Sequence, residues 1–360
     1  MPAFCEQTDV FISGTRGYHT YRIPSIVSTP HGTIMMFCEG RKYARSDTGR
    51  IDMLCKRSTD GGITWSDTQV IWNDGENTCG NPCPVVDEVT GTIWLLMTHN
   101  LGEDKESEII DRKSKGTRTI WVTSSMDDGL TWEDPVEITE SVKDKNWTWY
   151  ATGPGAGIQL TGGRLLIPCD HIEALSKRYF SHVIYSDNHG ESWKLGGATP
   201  EDDVNECEAV ELENGVVVLN MRNYDRKQKT RAIAVTYDGG DTWSHLMRDP
   251  TLIEPTCQAS IRRYPSEGDY ILFSNPANET ERENMTIRLS TDGCRSWGYS
   301  QCLHPGPAAY SCLTVFPDGT IGCLYERGEA HSYQRLTLAR FNLAWIMETR
   351  LKAETPGYIY

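Results

Sequence analysis

Short β-branched and apolar runs, separated by polar breaks that carry glycine, set the texture of this chain. Residues 8–13 and 22–28 are two such runs, divided by the turn Gly14-Thr15-Arg16-Gly17, and 33–39 and 92–98 follow in the same style. Residues 158–168 supply two strands around the turn Thr161-Gly162-Gly163-Arg164, and 215–220 and 285–289 add two more. Runs of this length, bounded by turn residues, predict β-strands joined by tight connections.

One of the breaks repeats. Ser58-Thr59-Asp60-Gly61-Gly62-Ile63-Thr64-Trp65 returns as Ser125 to Trp132, Ser186 to Trp193, Thr236 to Trp243 and Ser290 to Trp297. Each copy opens on Ser or Thr, has Asp60, Asp127, Asn188, Asp238 or Asp292 two places on, and closes on Ser/Thr-Trp. A tight turn accounts for that order: the Asx side chain bonds nearby backbone N–H groups, Gly takes positive φ, and the hydroxyl ties the loop shut. The Trp is expected to pack the turn onto its own hairpin. Asn188 in the third copy and Cys294 in the fifth, where Gly is usual, are expected to weaken those two turns. The copies start 50 to 67 residues apart, about the length of four short strands with their turns, which predicts one propeller blade per copy. Five copies plus the remaining sequence at both ends predict an all-β, six-bladed β-propeller of four-stranded antiparallel blades. In the sixth blade an N-terminal strand would complete a sheet begun by the C-terminal strands, leaving no free edge.

At 360 residues the chain exceeds the usual size of a single core, so it is read as one repeated architecture over 1–360, without a separate carbohydrate-binding module. A formal charge of −15 argues against nucleic acid as a partner and requires that any anionic ligand meet a local cluster of Arg. No stretch reaches membrane-spanning length, and Met1-Pro2-Ala3-Phe4 lacks the basic start and apolar core of a secretory signal. The expected compartment is the cytoplasm, or the lysosome or cell exterior had a leader been trimmed. The settings of Cys38, Cys55, Cys169 and Cys323 among the twelve cysteines predict reduced, buried thiols. Cys79 and Cys83 have no nearby His, so neither a metal nor a cofactor is expected.

Candidate chemistry lies where strands begin and end. In Tyr21-Arg22-Ile23-Pro24 an Arg opens an apolar strand, although a surface ion pair would suit it as well. Asp47 closes the polar loop Gly40 to Asp47, where it could reach a ligand or cap a turn. Glu206 and Glu208 share a strand face by the period of two, and spacing does not choose between them. Gly102 to Gly116 is dense in charge and reads as an exposed loop, a candidate rim for leaving groups. Thr152 to Gly157 lets backbone approach something closely; no Lys-Ser/Thr and no helix follow, which excludes a phosphate cradle.

Taken together, Tyr-Arg-Ile-Pro and the five repeated turns, known as Asp boxes, resemble the exo-α-sialidase (neuraminidase) superfamily of retaining glycosidases. The likeness runs from about Tyr21 to Arg340, and Thr29 to Asp47 and Gly306 to Ser311 are similar to the animal lysosomal-type and related bacterial enzymes. The resemblance implies a six-bladed propeller with the Asp boxes on the face away from the active site. It implies that Arg22, Arg222 and Arg282 clamp the sialic acid carboxylate, and that Glu326 braces the first of them. Asp47 would be the acid/base on a mobile loop. Glu206, directly before Cys207, would be the base rather than Glu208, and Tyr310 the nucleophile rather than Tyr325. Arg41 and Glu39 would be further pocket residues.

The chemistry is consistent with these types. Arg pairs bidentately with carboxylate and stays charged at any working pH. A carboxylate nucleophile would be repelled by the substrate's own carboxylate, whereas a neutral tyrosine deprotonated by Glu206 would not; sialidases are the stated tyrosine exception among glycosidases. Asp47 must start protonated, which predicts activity best on the acidic side of neutral. The implied substrates are sialylated oligosaccharides, glycoproteins or glycolipids. Trans-sialidase or intramolecular trans-sialidase chemistry is the alternative reading, and a non-catalytic glycan-binding propeller is the alternative of another class.

Overall fold

The computed structural model describes residues 2–265 and 268–351. Six four-stranded antiparallel sheets follow one another along the chain. Blade 1 comprises Thr20–Ser28, Ile34–Arg41, Ile51–Ser58 and Gln69–Trp72. Blade 2 comprises Thr78–Val86, Ile93–Asn100, Thr119–Ser125 and Val136–Glu137. Blade 3 has Trp147–Thr152, Leu165–Glu173, Tyr179–Ser186 and Lys194–Ala198, with Ile158–Gln159 continuing its inner edge. Blade 4 has Val204–Glu211, Val217–Asn223, Thr230–Thr236 and Met247–Ile253. Blade 5 has Ser260–Tyr264, Tyr270–Pro276 and Glu283–Ser290, and shares the long strand Tyr299–Val315 with blade 6. The first part of that strand pairs back onto blade 5, and the part from Ala308 pairs with Ile321–Arg327. Arg335–Phe341 and the N-terminal Cys5–Ile12 complete the sixth sheet, as the sequence predicts.

The first strand of each blade lies innermost, and Thr20–Ser28 packs against both Thr78–Val86 and Tyr299–Val315. Second strands, like the innermost ones, have blades on both faces, which is why a run such as Met35-Met36-Phe37-Cys38 is apolar without alternation and fully buried. At the axis, polar groups join the blades: Ser25 Oγ donates to Gly155 O (2.7 Å), and Gln258 Nε2 to Ser311 O (2.9 Å) and Pro154 O (3.1 Å). Glu208 sits there too, accepting from Ala156 N (3.1 Å), Ser260 Oγ (2.7 Å) and Ile261 N (2.9 Å). Burial pushes its carboxyl up to about 7, against the pull of Arg262 and these donors. Gly155 passes so close that a Cβ on it would lie 1.8 Å from Glu208 Oε1, which is the close approach the Gly-rich stretch predicts.

The Asp boxes form the turns between third and fourth strands of blades 1 to 5. In the first, Gly62 N donates to Ser58 Oγ (2.9 Å), while Asp60 accepts from Ile63 N (3.0 Å), Thr64 N (2.9 Å) and Thr64 Oγ1 (2.6 Å). The Asn188 and Cys294 turns keep the pattern: Ser192 N donates to Asn188 Oδ1 (3.0 Å), and Cys294, at φ +66°, donates its N–H to Ser290 Oγ (2.9 Å). The expected weakening therefore does not reach these hydrogen bonds. Four of the five box tryptophans reach beyond their own hairpins to the preceding blade. Trp132 meets Phe37 of blade 1 edge-on (5.7 Å), and Trp193 meets Trp94 of blade 2 (6.4 Å). Trp243 Nε1 donates to Gly197 O of blade 3 (3.1 Å), and Trp297 Nε1 to Asp249 Oδ2 of blade 4 (2.8 Å). An indole is wide enough to cross the seam between blades, so the repeat stitches neighbours together as well as closing turns.

Candidate active site

Strand direction separates two ends of the propeller. The boxes end third strands, so starts of first and third strands and ends of second strands gather at the opposite end. There a cavity of ≈ 250 Å³ is lined by Arg22, Glu39, Arg41, Asp47, Glu206, Arg222, Arg282 and Tyr310 among others. Glu326 lies behind it, fully buried. Irregular pairing near the starts of the inner strands aims side chains at this mouth: register shifts fall between Arg22 and Ser25, Gly80 and Cys83, Val204 and Cys207, and Ala308 and Ser311.

Three guanidinium groups from blades 1, 4 and 5 surround one tyrosine. Arg222 Nη1 donates to Tyr310 Oη (3.2 Å), and the Cζ atoms of Arg22 and Arg282 lie 5.0 and 5.6 Å from the Tyr310 ring centroid. Tyr310 Oη donates to Glu206 Oε1 in a very short hydrogen bond, and Glu206 Oε2 accepts from Arg222 Nη1 (2.7 Å). Burial, then the neighbouring Glu206, raises the phenol pKa well above its ordinary value, against the three arginines, so Tyr310 rests neutral. Glu206 faces the mouth, while Glu208 lies one step deeper on the axis. Tyr325 donates to Gln7 Oε1 (2.6 Å) within blade 6, outside the cavity.

Glu326 accepts four bonds: from Arg22 Nε (3.0 Å) and Nη2 (3.2 Å), Ile23 N (3.0 Å) and Tyr310 N (3.1 Å). It thereby fixes an arginine, the backbone beside the tyrosine and Ile23, whose φ of +58° is strained for a β-branched residue. On the other side Glu39 Oε2 accepts from Arg41 Nε (2.9 Å) and Nη2 (2.7 Å), and its Oε1 from Asn81 N (2.9 Å). Asp47 Oδ1 lies 2.7 Å from Arg41 Nη2 and 3.6 Å from Arg22 Nη1, with its carboxyl 63 % exposed. Partial desolvation acts to raise its pKa, but Arg41 and Arg22 outweigh that and hold it below the usual carboxylate range. Unliganded Asp47 is thus ionised, and the protonated state expected from the sequence is not its resting state.

The BNR repeat-like domain family matches residues 24–323. The exo-alpha-sialidase of Aspergillus fumigatus is 30% identical over 92% of this chain and 86% of its own length. The chain belongs to the exo-α-sialidase superfamily. The sialidase of Micromonospora viridifaciens is 35% identical over 96% of this chain, which spans 55% of that protein. Among solved structures, the Hadza microbial sialidase Hz136 superposes with a TM-score of 0.85 at 32% identity, covering 94% of this chain and 69% of that one.

Several residues of this sialidase-family cavity carry no sequence signal. Asn81, Arg118, Trp149, Asp170, Tyr224 and Tyr333 line it without belonging to a recognisable local pattern. Arg282 Nη1 donates to Tyr333 Oη (3.1 Å), and Arg22 lies over the Tyr333 ring (4.1 Å). Asp170 is buried with Oδ1 accepting from Asn205 Nδ2 (2.8 Å); burial, then Glu206 and Glu106, raises its pKa well above the carboxylate range. The stretch Gly102 to Gly116, read as a plain loop, contains the helix Glu106–Ile110 and brings Glu106 to the cavity. No group of three or more His, Cys, Asp or Glu side chains suited to a metal occurs among the described residues. The twelve cysteines are free, ten of them buried.

Proposed function

We propose that this protein is an exo-α-sialidase that hydrolyses terminal α-ketosidically linked sialic acids with retention, through a tyrosyl-enzyme intermediate. The observation that supports this most is the convergence of Arg22, Arg222 and Arg282 around the Tyr310–Glu206 pair. The substrate carboxylate docks on the three guanidinium groups, setting the anomeric carbon over Tyr310. As Glu206 takes the phenolic proton, Tyr310 Oη bonds to the anomeric carbon and the glycosidic bond breaks, with Asp47 protonating the departing oxygen. Asp47 then deprotonates water, which attacks the anomeric carbon; the tyrosyl bond breaks and Glu206 returns its proton to Tyr310. Sialylated oligosaccharides, glycoproteins and glycolipids are the proposed substrates.

Docking also changes Asp47. A substrate carboxylate on Arg22 offsets one of the three positive charges, of Arg41, Arg22 and Arg118, that hold this carboxyl ionised, easing its protonation. The test is release of 4-methylumbelliferone from its sialic acid α-ketoside, with the first-formed sugar followed by NMR. Wild type is expected to turn over and release the α-anomer first, and Tyr310→Phe to lose at least about a thousandfold in kcat. Inverted product or wild-type turnover in the variant would remove the tyrosyl route, and an inert wild type would favour a propeller that only binds glycans.

A further inference from the structure

From Ala308 onward the strand Tyr299–Val315 has a ladder partner on one edge, Ile321–Arg327. Its other edge faces the propeller axis, where the backbone N–H and C=O groups still require partners. Blade 5 supplies them with side chains. Gln258, Ser260 and Arg262, alternate residues leading into that blade's innermost strand Ser260–Tyr264, meet this edge in the place of a strand. Ser311 N donates to Gln258 Oε1 (3.0 Å) and Gln258 Nε2 to Ser311 O (2.9 Å). Leu313 N donates to Ser260 Oγ (2.9 Å), and Arg262 Nε to Leu313 O (3.3 Å).

Tyr310 lies in the irregular stretch between Ala308 and Ser311, where the register of the ladder shifts. Regular pairing resumes at Ser311, so the depth of the tyrosine follows from how that next residue is held. Gln258 holds it by both backbone groups, and its second amide hydrogen goes to Pro154 O (3.1 Å). The adjacent Gly153 O accepts from Cys207 N (3.4 Å), the residue after Glu206. One amide, 1 % exposed and outside the cavity lining, therefore links the backbone beside the nucleophile to the backbone beside its base. These three bonds need an oxygen and an NH₂ on one side chain, which a carboxylate, a thioether or an alkyl group does not provide. Glu208 extends the network, accepting from Ser260 Oγ and from Ala156 N of the same Gly-rich stretch.

We propose that Gln258, with Ser260 beside it, is a positioning residue that sets the depth of Tyr310 against Glu206 for nucleophilic attack. This rests on the sialidase reading. The test measures kcat/KM for the 4-methylumbelliferyl sialic acid α-ketoside, which reports the attack of Tyr310. It is paired with Ki for the 2,3-unsaturated sialic acid analogue, which carries the carboxylate but has no leaving group. Gln258→Met, of similar length and without the amide, is expected to lose about 10- to 100-fold in kcat/KM, the effect of a displacement of about 1 Å, with Ki within about threefold of wild type. Ser260→Ala, which removes one bond to the same strand and little volume, should lose about 3- to 10-fold. A folded Gln258→Met with wild-type kcat/KM shows that the amide serves stability alone and overturns the proposal. A loss in Ki as large as the loss in kcat/KM also overturns it, since the clamp itself would then have moved. Should Gln258→Met not fold, an unchanged kcat/KM in Ser260→Ala overturns it. A wild type inert on the ketoside overturns the sialidase reading, and this inference with it, whereas unchanged variants of an active wild type overturn this inference alone.

Discussion

Glu326→Gln is the substitution whose effect follows most directly from the geometry. The carboxylate is fully buried and receives four donors, two from Arg22 and two from backbone. An amide keeps one acceptor oxygen and turns an NH₂ toward N–H groups that then have no acceptor. Arg22 is 6 % exposed, and the other carboxylate beside it, Asp47, is 3.6 Å away and largely solvated. Breaking a buried ion pair by removing one partner costs about 3–5 kcal/mol, because the remaining charge stays desolvated. The strained backbone at Ile23 loses its acceptor at the same time, which places the expectation in the upper half of that range. Urea unfolding of wild type and variant, compared at equal m-value, measures the loss. Turnover of the fluorogenic ketoside should fall at least about a hundredfold, since the same bonds place Tyr310 and Arg22. A stability change under about 0.5 kcal/mol would refute the claim that Glu326 balances Arg22.

Trp297→Ala should cost about 3–5 kcal/mol, because it empties a buried seam and leaves Asp249 without its indole donor; Trp297→Phe should cost much less, and equal losses would show that packing alone matters there. Buried His171, stacked on Trp147 and within 3.0 Å of His182, has its pKa pushed down to about 3 by burial and then by Lys143. Its folded-state value lies below the unfolded one near 6.5, so the unfolded chain binds more protons and stability falls as pH drops below 6.5, by about 2 kcal/mol at pH 5. His171→Phe should remove that share of the pH dependence, as urea midpoints at pH 7 and pH 5 would show. Asp47 is held ionised in the free protein, below the usual carboxylate range, so kcat/KM should already be declining as pH rises out of that acid range and keep declining through neutrality; a flat profile from pH 5 to pH 9 would exclude it as the acid.

The boxes were readable because a turn is a local object: the Asx, Gly and hydroxyl positions act on backbone within a few residues. Where each Trp goes is not local, and the sequence suggests its own hairpin although the indole crosses to the previous blade. The same contrast runs through the site. Arg22 and Tyr310 sit in recognisable stretches, and Glu206 is separable from Glu208 by resemblance, but their periodicity is identical; depth along the axis is what distinguishes them. Arg118 and Asp170 carry no flag at all, since a buried arginine just ahead of the strand Thr119–Ser125 looks like any other until blades 2 and 3 are placed side by side. Ile23 gives no hint of positive φ, because β-branched residues ordinarily avoid it.

The pairing of Cys5–Ile12 with Arg335–Phe341 has a consequence for biogenesis. Arg22 and Glu326 are 304 positions apart, so the emerging polypeptide carries an unpartnered arginine while the stretch between them is translated, on the order of 15–60 s at common elongation speeds. Competence therefore arrives only once Arg335–Phe341 has been made and pairs with Cys5–Ile12. A ribosome-stalled product ending before Ile321–Arg327 would hold most of the blades and no working clamp.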